Sequence, residues 1–140
     1  MKIILISTGT LKDKGPKKIA DFLEKHKHKT KIIFYGESKT MKILMKCKNA
    51  DLIVVSANIS THKKALVLIK FLKKLEKPVA YAGIYPHLYP EECIKETDLV
   101  ITAKPAETIL ELANRLENFQ RVDNIKNLLF KAEKEIQGIN

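Results

Sequence analysis

Three clusters of small polar residues stand directly after apolar runs. Ser7-Thr8-Gly9 follows "KIILI", Ser56, Asn58, Ser60 and Thr61 follow "DLIVV", and Gly83 follows "PVAYA". Hydroxyls, an amide and glycines at such points suit phosphate or amide recognition, because backbone N–H groups at a helix start are unpaired and a glycine admits close approach. For Gly83 the approaching group is a flat ligand or another stretch of backbone. For Thr61 plain N-capping of the following helix is the simpler use. Two histidines, His62 and His87, lie beside these clusters, whereas His26 and His28 sit in the lysine-rich "KHKHKT" and read as solvated, His28 within reach of the carboxyl end of the first helix.

The familiar phosphate motifs are missing. "STGTLKDKG" (7–15) is neither G-x-G-x-x-G nor G-x-x-x-x-G-K-[ST], and is at best a thin version of a flavodoxin-type phosphate loop. No nucleophile–base pair or close carboxylate pair stands out, so catalysis by the chain alone has no support. Cys47 and Cys93 are too few and too isolated for a disulfide framework or a zinc site, and no metal ligand set is expected.

The elements that must hold these residues alternate in type. Runs 2–7, 31–36, 51–56, 77–83 and 98–103 are short and apolar at nearly every central position, the pattern of parallel strands covered on both faces. Between them, Ile19, Phe22 and Leu23, then Leu66, Ile69, Leu72 and Leu75, then Ile109, Leu112, Ala113 and Leu116 recur at helical spacing. Pro16, Pro90 and Pro105 sit where helices open, and Ser60 or Thr61 can cap another. The order predicts one doubly wound α/β domain over 1–140: a five-stranded parallel sheet, flavodoxin-like or Rossmann-like, in the order 2-1-3-4-5 with helices on both faces. Residues 120–140 read as a C-terminal helix or extension. In such a sheet ligands bind outside the carboxyl ends of the strands, where the loops 7–16, 56–64, 82–90 and 102–105 gather.

Composition narrows the class. Hydrophobic residues at 45% and charged residues at 30% make a globular chain, and no apolar run is long enough to span a membrane. The start "MKIILIS" reads as a strand, with no cleavage site after it, so a reducing cytoplasmic setting is expected. Charge is uneven. Residues 1–77 hold 19 Lys/Arg against 6 Asp/Glu, a net +13, and residues 78–140 hold 7 against 10, a net −3. A basic half attracts phosphate, nucleic acid or an acidic partner, although Lys- and Glu-rich chains without Trp are also common among heat-adapted proteins.

The whole chain resembles the cobalamin-binding domain found at the amino end of many radical S-adenosylmethionine enzymes. "GPKKIADFLEKHKHKTKIIFY" is similar to that family's first helix and second strand, and "DLIVVSANISTHKKALVLIKFLKK" to its third strand and the helix after it. "PVAYAGIYPHLYPEECIKETDLVIT" is similar to its Gly-Gly-x-His-Pro-Thr-x-x-Pro-Glu-Glu stretch and the strand beyond, and "AETILELANRLE" to the next helix. The resemblance implies a corrin bracketed by the loops after strands 1, 3 and 4, with its nucleotide tail between the sheet and a helix. It places Ser7, Thr8, Gly9, Ser56, Asn58, Ser60, Thr61, Ala82, Gly83, Tyr85 and His87 around cobalamin, Tyr85 and His87 with Tyr89 against the ring or its amides.

The sequence departs from that pattern at several points. Ala82 stands for the first Gly of the pair, Tyr85 for the usual His, and "AKPA" (103–106) for an acidic Gly-Glu-Gly-Glu loop. The Asp-x-His-x-x-Gly motif that supplies cobalt's axial histidine is absent, as is the C-x-x-x-C-x-x-C triplet that holds a cleaving cluster. The resemblance therefore implies a module that binds a corrinoid or keeps only the scaffold, and that works with a radical S-adenosylmethionine enzyme subunit or domain. The alternative is a nonenzymatic interaction module for a protein or RNA, acting through the basic half.

Overall fold

Buried on both faces, the apolar runs pair side by side and in one direction. The computed structural model describes residues 1–9, 13–37 and 39–131. In it β1 (Lys2–Ser7), β2 (Lys29–Phe34), β3 (Leu52–Ser56), β4 (Val79–Ala82) and β5 (Leu99–Ile101) are parallel neighbours in the order β2-β1-β3-β4-β5. A sixth strand, β6 (Leu128–Phe130), adds antiparallel to β5, so the sheet has six strands in the order 2-1-3-4-5-6 rather than five. Of the helix or extension expected over 120–140, the described part is an extension, where residues 120–127 form turns that lead into β6; residues 132–140 lie outside the described residues. The outer side of β5 has backbone groups to satisfy, and "LLF" satisfies them. Its alternation puts Leu128 and Phe130 against one core and Leu129 against the other.

The helices are α1 (Gly15–Lys25), α2 (Thr40–Cys47), α3 (His62–Leu72), the short α4 (Ile84–Leu88) and α5 (Pro90–Cys93), and α6 (Pro105–Glu117). On one face α1 and α6 bury Ala20, Leu23, Ile109 and Leu112 against Leu5, Val54 and Ile101. On the other, α2 and α3 bury Ile43, Leu68, Ile69 and Leu72 against Ile6, Val55 and Tyr81. Each fully buried Leu or Ile contributes about 1.5–3 kcal/mol, so both layers hold the sheet strongly. Pro90 and Pro105 are the first residues of α5 and α6 and Pro16 the second of α1, so prolines open these helices as the sequence predicts. Residues 84–88, expected to be an irregular loop, form the single turn α4. Pro86 is tolerated there because an N–H in the first helical turn has no partner within the helix anyway. No helix among the described residues is long and apolar enough to cross a membrane.

At the sheet's amino edge one expectation is overturned. His28 is buried, not solvated: its Nε2 lies 2.8 Å from Asn114 Oδ1 of α6, and its Nδ1 has no partner. Its backbone N–H donates to Leu23 O in the last turn of α1. His26 is exposed, with Nδ1 2.9 Å from Phe22 O.

Candidate functional site

Strand register sets the floor of the site. Ser7 pairs with Ser56, and Ser56 with Ala82, so three of the expected residues stand in a row at the carboxyl edge. Ser7 and Thr8 are buried. Ser7 Oγ accepts from Gly9 N at 3.1 Å, which turns the chain away from β1. Thr8 Oγ1 reaches the Ser56 carbonyl at 2.9 Å and Thr61 Oγ1 at 2.8 Å, tying the loop after β1 to the loop after β3.

Asn58 organises the second loop. Its Oδ1 accepts from Ser60 Oγ (2.8 Å), Thr61 N (3.0 Å) and Thr61 Oγ1 (3.0 Å), while its own N–H donates to Thr61 Oγ1 at 3.1 Å. The capping expected of Ser60 or Thr61 is not made: Asn58 instead fixes the turn that ends at Thr61. Thr61 holds the N-cap position of α3 with no cap bond from its own side chain. The hydroxyls are held rigid by one another, an arrangement that presents them in fixed directions.

Gly83 has a backbone reason. Its φ is 111°, and a Cβ there would lie 2.4 Å from Ala57 O and 2.8 Å from Ala57 N. Of the two uses read from the sequence, close approach of another backbone is the one seen. Ala57 N donates to Ala82 O at 3.1 Å, and this contact closes the loops after β3 and β4 onto each other.

These loops surround a cleft of about 800 Å³. Ser7, Thr8, Gly9, Ser56, Asn58, Ser60, Thr61, Ala82 and Gly83 all line it, so nine of the eleven expected residues meet in one place. Its inner part runs between the sheet and the helices, walled by Leu5 and Val54 from the strands, Pro16 and Ile19 from α1 and Pro105 at the start of α6. Lys64 stands at its rim, with its ammonium 5.2 Å from the Tyr35 ring centroid. Sequence reasoning missed this inner wall, for which only the helical spacing of Ile19 gave a sign. Residues 10–12, part of the first expected loop, lie outside the described residues.

The other two expected residues stand apart from the cleft. Tyr85 turns to the α3 side, where its ring stacks on His62 with centroids 3.5 Å apart and its hydroxyl donates to Glu92 Oε1 at 3.0 Å. His62 Nδ1 lies 2.8 Å from the hydroxyl of the fully buried Tyr81. Burial holds His62 below the usual imidazole range, against the pull of Glu92 and Glu96, and drives Tyr81 well above the usual phenol range. Tyr89, exposed, continues the aromatic row 4.9 Å from Tyr85. His87 lines a second hollow of about 320 Å³ with Ile84, Ile101 and Lys104. Its Nδ1 donates to Thr102 O at 2.6 Å.

Thiol chemistry is absent from the cleft. Cys47 and Cys93 are fully buried in the α2–α3 core, and burial pushes each thiol up to about 11. Both stay protonated at neutral pH, which makes them poor nucleophiles and poor ligands. Among the described residues no three of His, Cys, Asp or Glu come together as a metal site.

No protein-family model matches the chain, and no curated protein is significantly similar to it. Among solved structures, it is similar to the radical S-adenosylmethionine methyltransferase TsrM from Kitasatospora setae with tryptophan substrate and a SAM analogue bound. The TM-score is 0.80 at 12% identity, over 95% of this chain and 29% of that one. TsrM with cobalamin and a [4Fe-4S] cluster bound gives 0.74 at 13% identity over the same shares. A weaker likeness, TM-score 0.51 at 17% identity, covers 99% of this chain and 18% of a fungal multi-domain GH3 beta-N-acetylglucosaminidase with a GCN5-related glucosamine N-acetyltransferase region. The chain spans 29% of the length of the TsrM structures, and at these identities the likeness shows a shared fold, a Rossmann-like α/β arrangement.

Proposed function

We propose that this chain is a corrinoid-binding module that holds cobalamin at the carboxyl edge of its sheet. The observation that carries the reading is the cleft's two-part character. Its mouth is ringed by rigid hydroxyls and an amide, and its depth is an apolar slot between the sheet and α1. A corrinoid needs both, because its rim is studded with amides and its tail ends in a flat base behind a phosphate. TsrM, the structural neighbour, has been solved with cobalamin bound, which agrees with this reading.

The residues fit the group. Leu5, Ile19, Val54 and Pro105 would enclose the base, Ala82 being small enough to leave that slot open. Ser7, Thr8, Ser56 and Thr61 would meet ribose, phosphate or side-chain amides, and Lys64 at the rim would favour the phosphate. Bound cobalamin supplies cobalt for carrying a methyl group. No described residue lining the cleft is His, Cys or Met, and the sequence of 7–16 contains none. These walls hold a corrinoid without ligating cobalt. The cluster chemistry of a radical enzyme would come from a partner subunit or domain, since the 140 residues hold two cysteines.

Titration of the purified protein with hydroxocobalamin, followed by gel filtration, tests the proposal. One equivalent is retained with micromolar or tighter affinity and a shifted corrin spectrum. Ile19→Trp, which fills the slot from α1, weakens retention more than about tenfold with an unchanged thermal melt, more than 1.4 kcal/mol of binding. Failure of the wild-type protein to retain cobalamin, or an Ile19→Trp protein that retains it equally well, overturns the reading.

A further inference from the structure

The lysines of the basic half divide unevenly between the two faces of the sheet. Helices α2 and α3, which pack side by side, contain Lys42, Lys46, Lys63, Lys64 and Lys70 and no Asp or Glu. The described ion pairs all lie elsewhere: at the amino terminus, on α1, on α6 and at Arg121–Asp123. Set among the lysines are large exposed apolar side chains, Met41 (69% exposed), Met45 (65%), Val67 (50%) and Phe71 (39%). Met41 and Met45, like Val67 and Phe71, are four residues apart, so each pair forms a line along its helix. Solvation accounts for lysines on a surface, but not for four exposed apolar side chains between them.

Charge and chemistry together select the occupant. A second copy is excluded by like charge. RNA would use the lysines, but it gains nothing from Met and Val, and among the exposed side chains of α2 and α3 only Phe71 offers a ring and none is Arg. A protein partner prefers an apolar centre with charge at the rim, and lysine is depleted from such centres. Here lysine and apolar residue alternate along both helices. A lipid surface accommodates that alternation, because lysine stems bend toward phosphates while Met, Val and Phe enter the headgroup layer. We propose that the α2–α3 face docks the protein peripherally on an anionic lipid bilayer. The α1–α6 side, which bounds the inner cleft, then faces away from the bilayer.

Cosedimentation with phosphatidylglycerol–phosphatidylcholine vesicles, against phosphatidylcholine alone, tests this at physiological ionic strength of about 0.15 M. The protein partitions onto the anionic vesicles only. Combined Lys42→Gln, Lys46→Gln and Lys70→Gln lowers partition roughly 100-fold, at about fivefold per charge. The same charge change on α1, through Lys17→Gln, Lys18→Gln and Lys25→Gln, lowers it less than roughly fivefold in total, because those lysines face away. Combined Met41→Ser and Met45→Ser lowers it about tenfold with no change in charge. Equal loss from the two lysine sets, equal binding to phosphatidylcholine, or no effect of the methionine changes overturns the proposal. So does poly(U) that displaces the protein from vesicles through the same lysines, an outcome that makes the face an RNA surface. All the altered side chains are exposed, and a circular dichroism melt confirms that each variant folds.

Discussion

β4 sends Ala80 and Ala82 toward α1 and α6, and Val79 and Tyr81 toward α2 and α3. The small pair leaves room, and the cleft opens on that side. The large pair fills its side, and Tyr81 is fully buried there against His62. The surfaces differ in the opposite sense. Over the hollow side α1 and α6 carry matched charges, Lys17 with Asp21 at 3.5 Å and Arg115 with Glu111 at 3.1 Å. Over the filled side α2 and α3 carry lysines without carboxylates. One alternating strand pattern thus supports two layers that differ in packing and in charge, a hollow beneath one and a lysine-rich surface over the other.

Core truncation probes this contrast most strongly. Leu68→Ala under α3 and Leu112→Ala under α6 both remove a side chain that is 0% exposed, and each should cost about 2–5 kcal/mol in urea unfolding. A clearly smaller cost for Leu112→Ala would mean that the α1–α6 layer relaxes into its cleft, while equal costs would mark the two layers as equally firm. A weaker effect concerns the filled side alone. The folded state disfavours protonated His62, so stability is lost as pH falls below the ordinary value of 6.5 and regained above it. The melting temperature should drop between about pH 7.5 and pH 5, and less so in His62→Gln. An unchanged pH response in that variant would assign the dependence to other groups. The smallest effects are at the surface. Asp21→Asn should cost about 0.3–0.5 kcal/mol through its exposed pair with Lys17, whereas Lys42→Glu, in the first turn of α2, should be neutral or slightly stabilising by relieving repulsion. A loss from Lys42→Glu as large as that from Asp21→Asn would show that α2 already has an anionic partner.

The sheet was legible because its inner strands are apolar at consecutive positions and its helix starts are marked by Pro16, Pro90 and Pro105. From those signals the shared carboxyl edge followed, and with it the meeting of the Ser/Thr/Gly loops. Other features depend on partners distant in sequence. "LLF" (128–130) becomes a strand only because β5 offers an unpaired side, although its neighbours have helical composition. His28 sits among lysines yet is buried, because Asn114, 86 residues away, packs over it. α4 was hidden by Pro86, whose penalty disappears in a first turn. Tyr85 was placed by resemblance against a ligand, and its actual position follows from the stack on His62, which no local pattern announces.

The flanks of the sheet carry a final consequence. A row of open amides and carbonyls invites other chains to add on, and such growth ends in fibres. β6 covers that row on β5 with a segment of three residues, too short to template an extension. On the far flank, β2 turns Lys29 and Lys31 outward, so an incoming strand meets cations before it meets backbone. Both flanks of a sheet built from β-prone, isoleucine-heavy runs thus carry a feature that disfavours the addition of another strand.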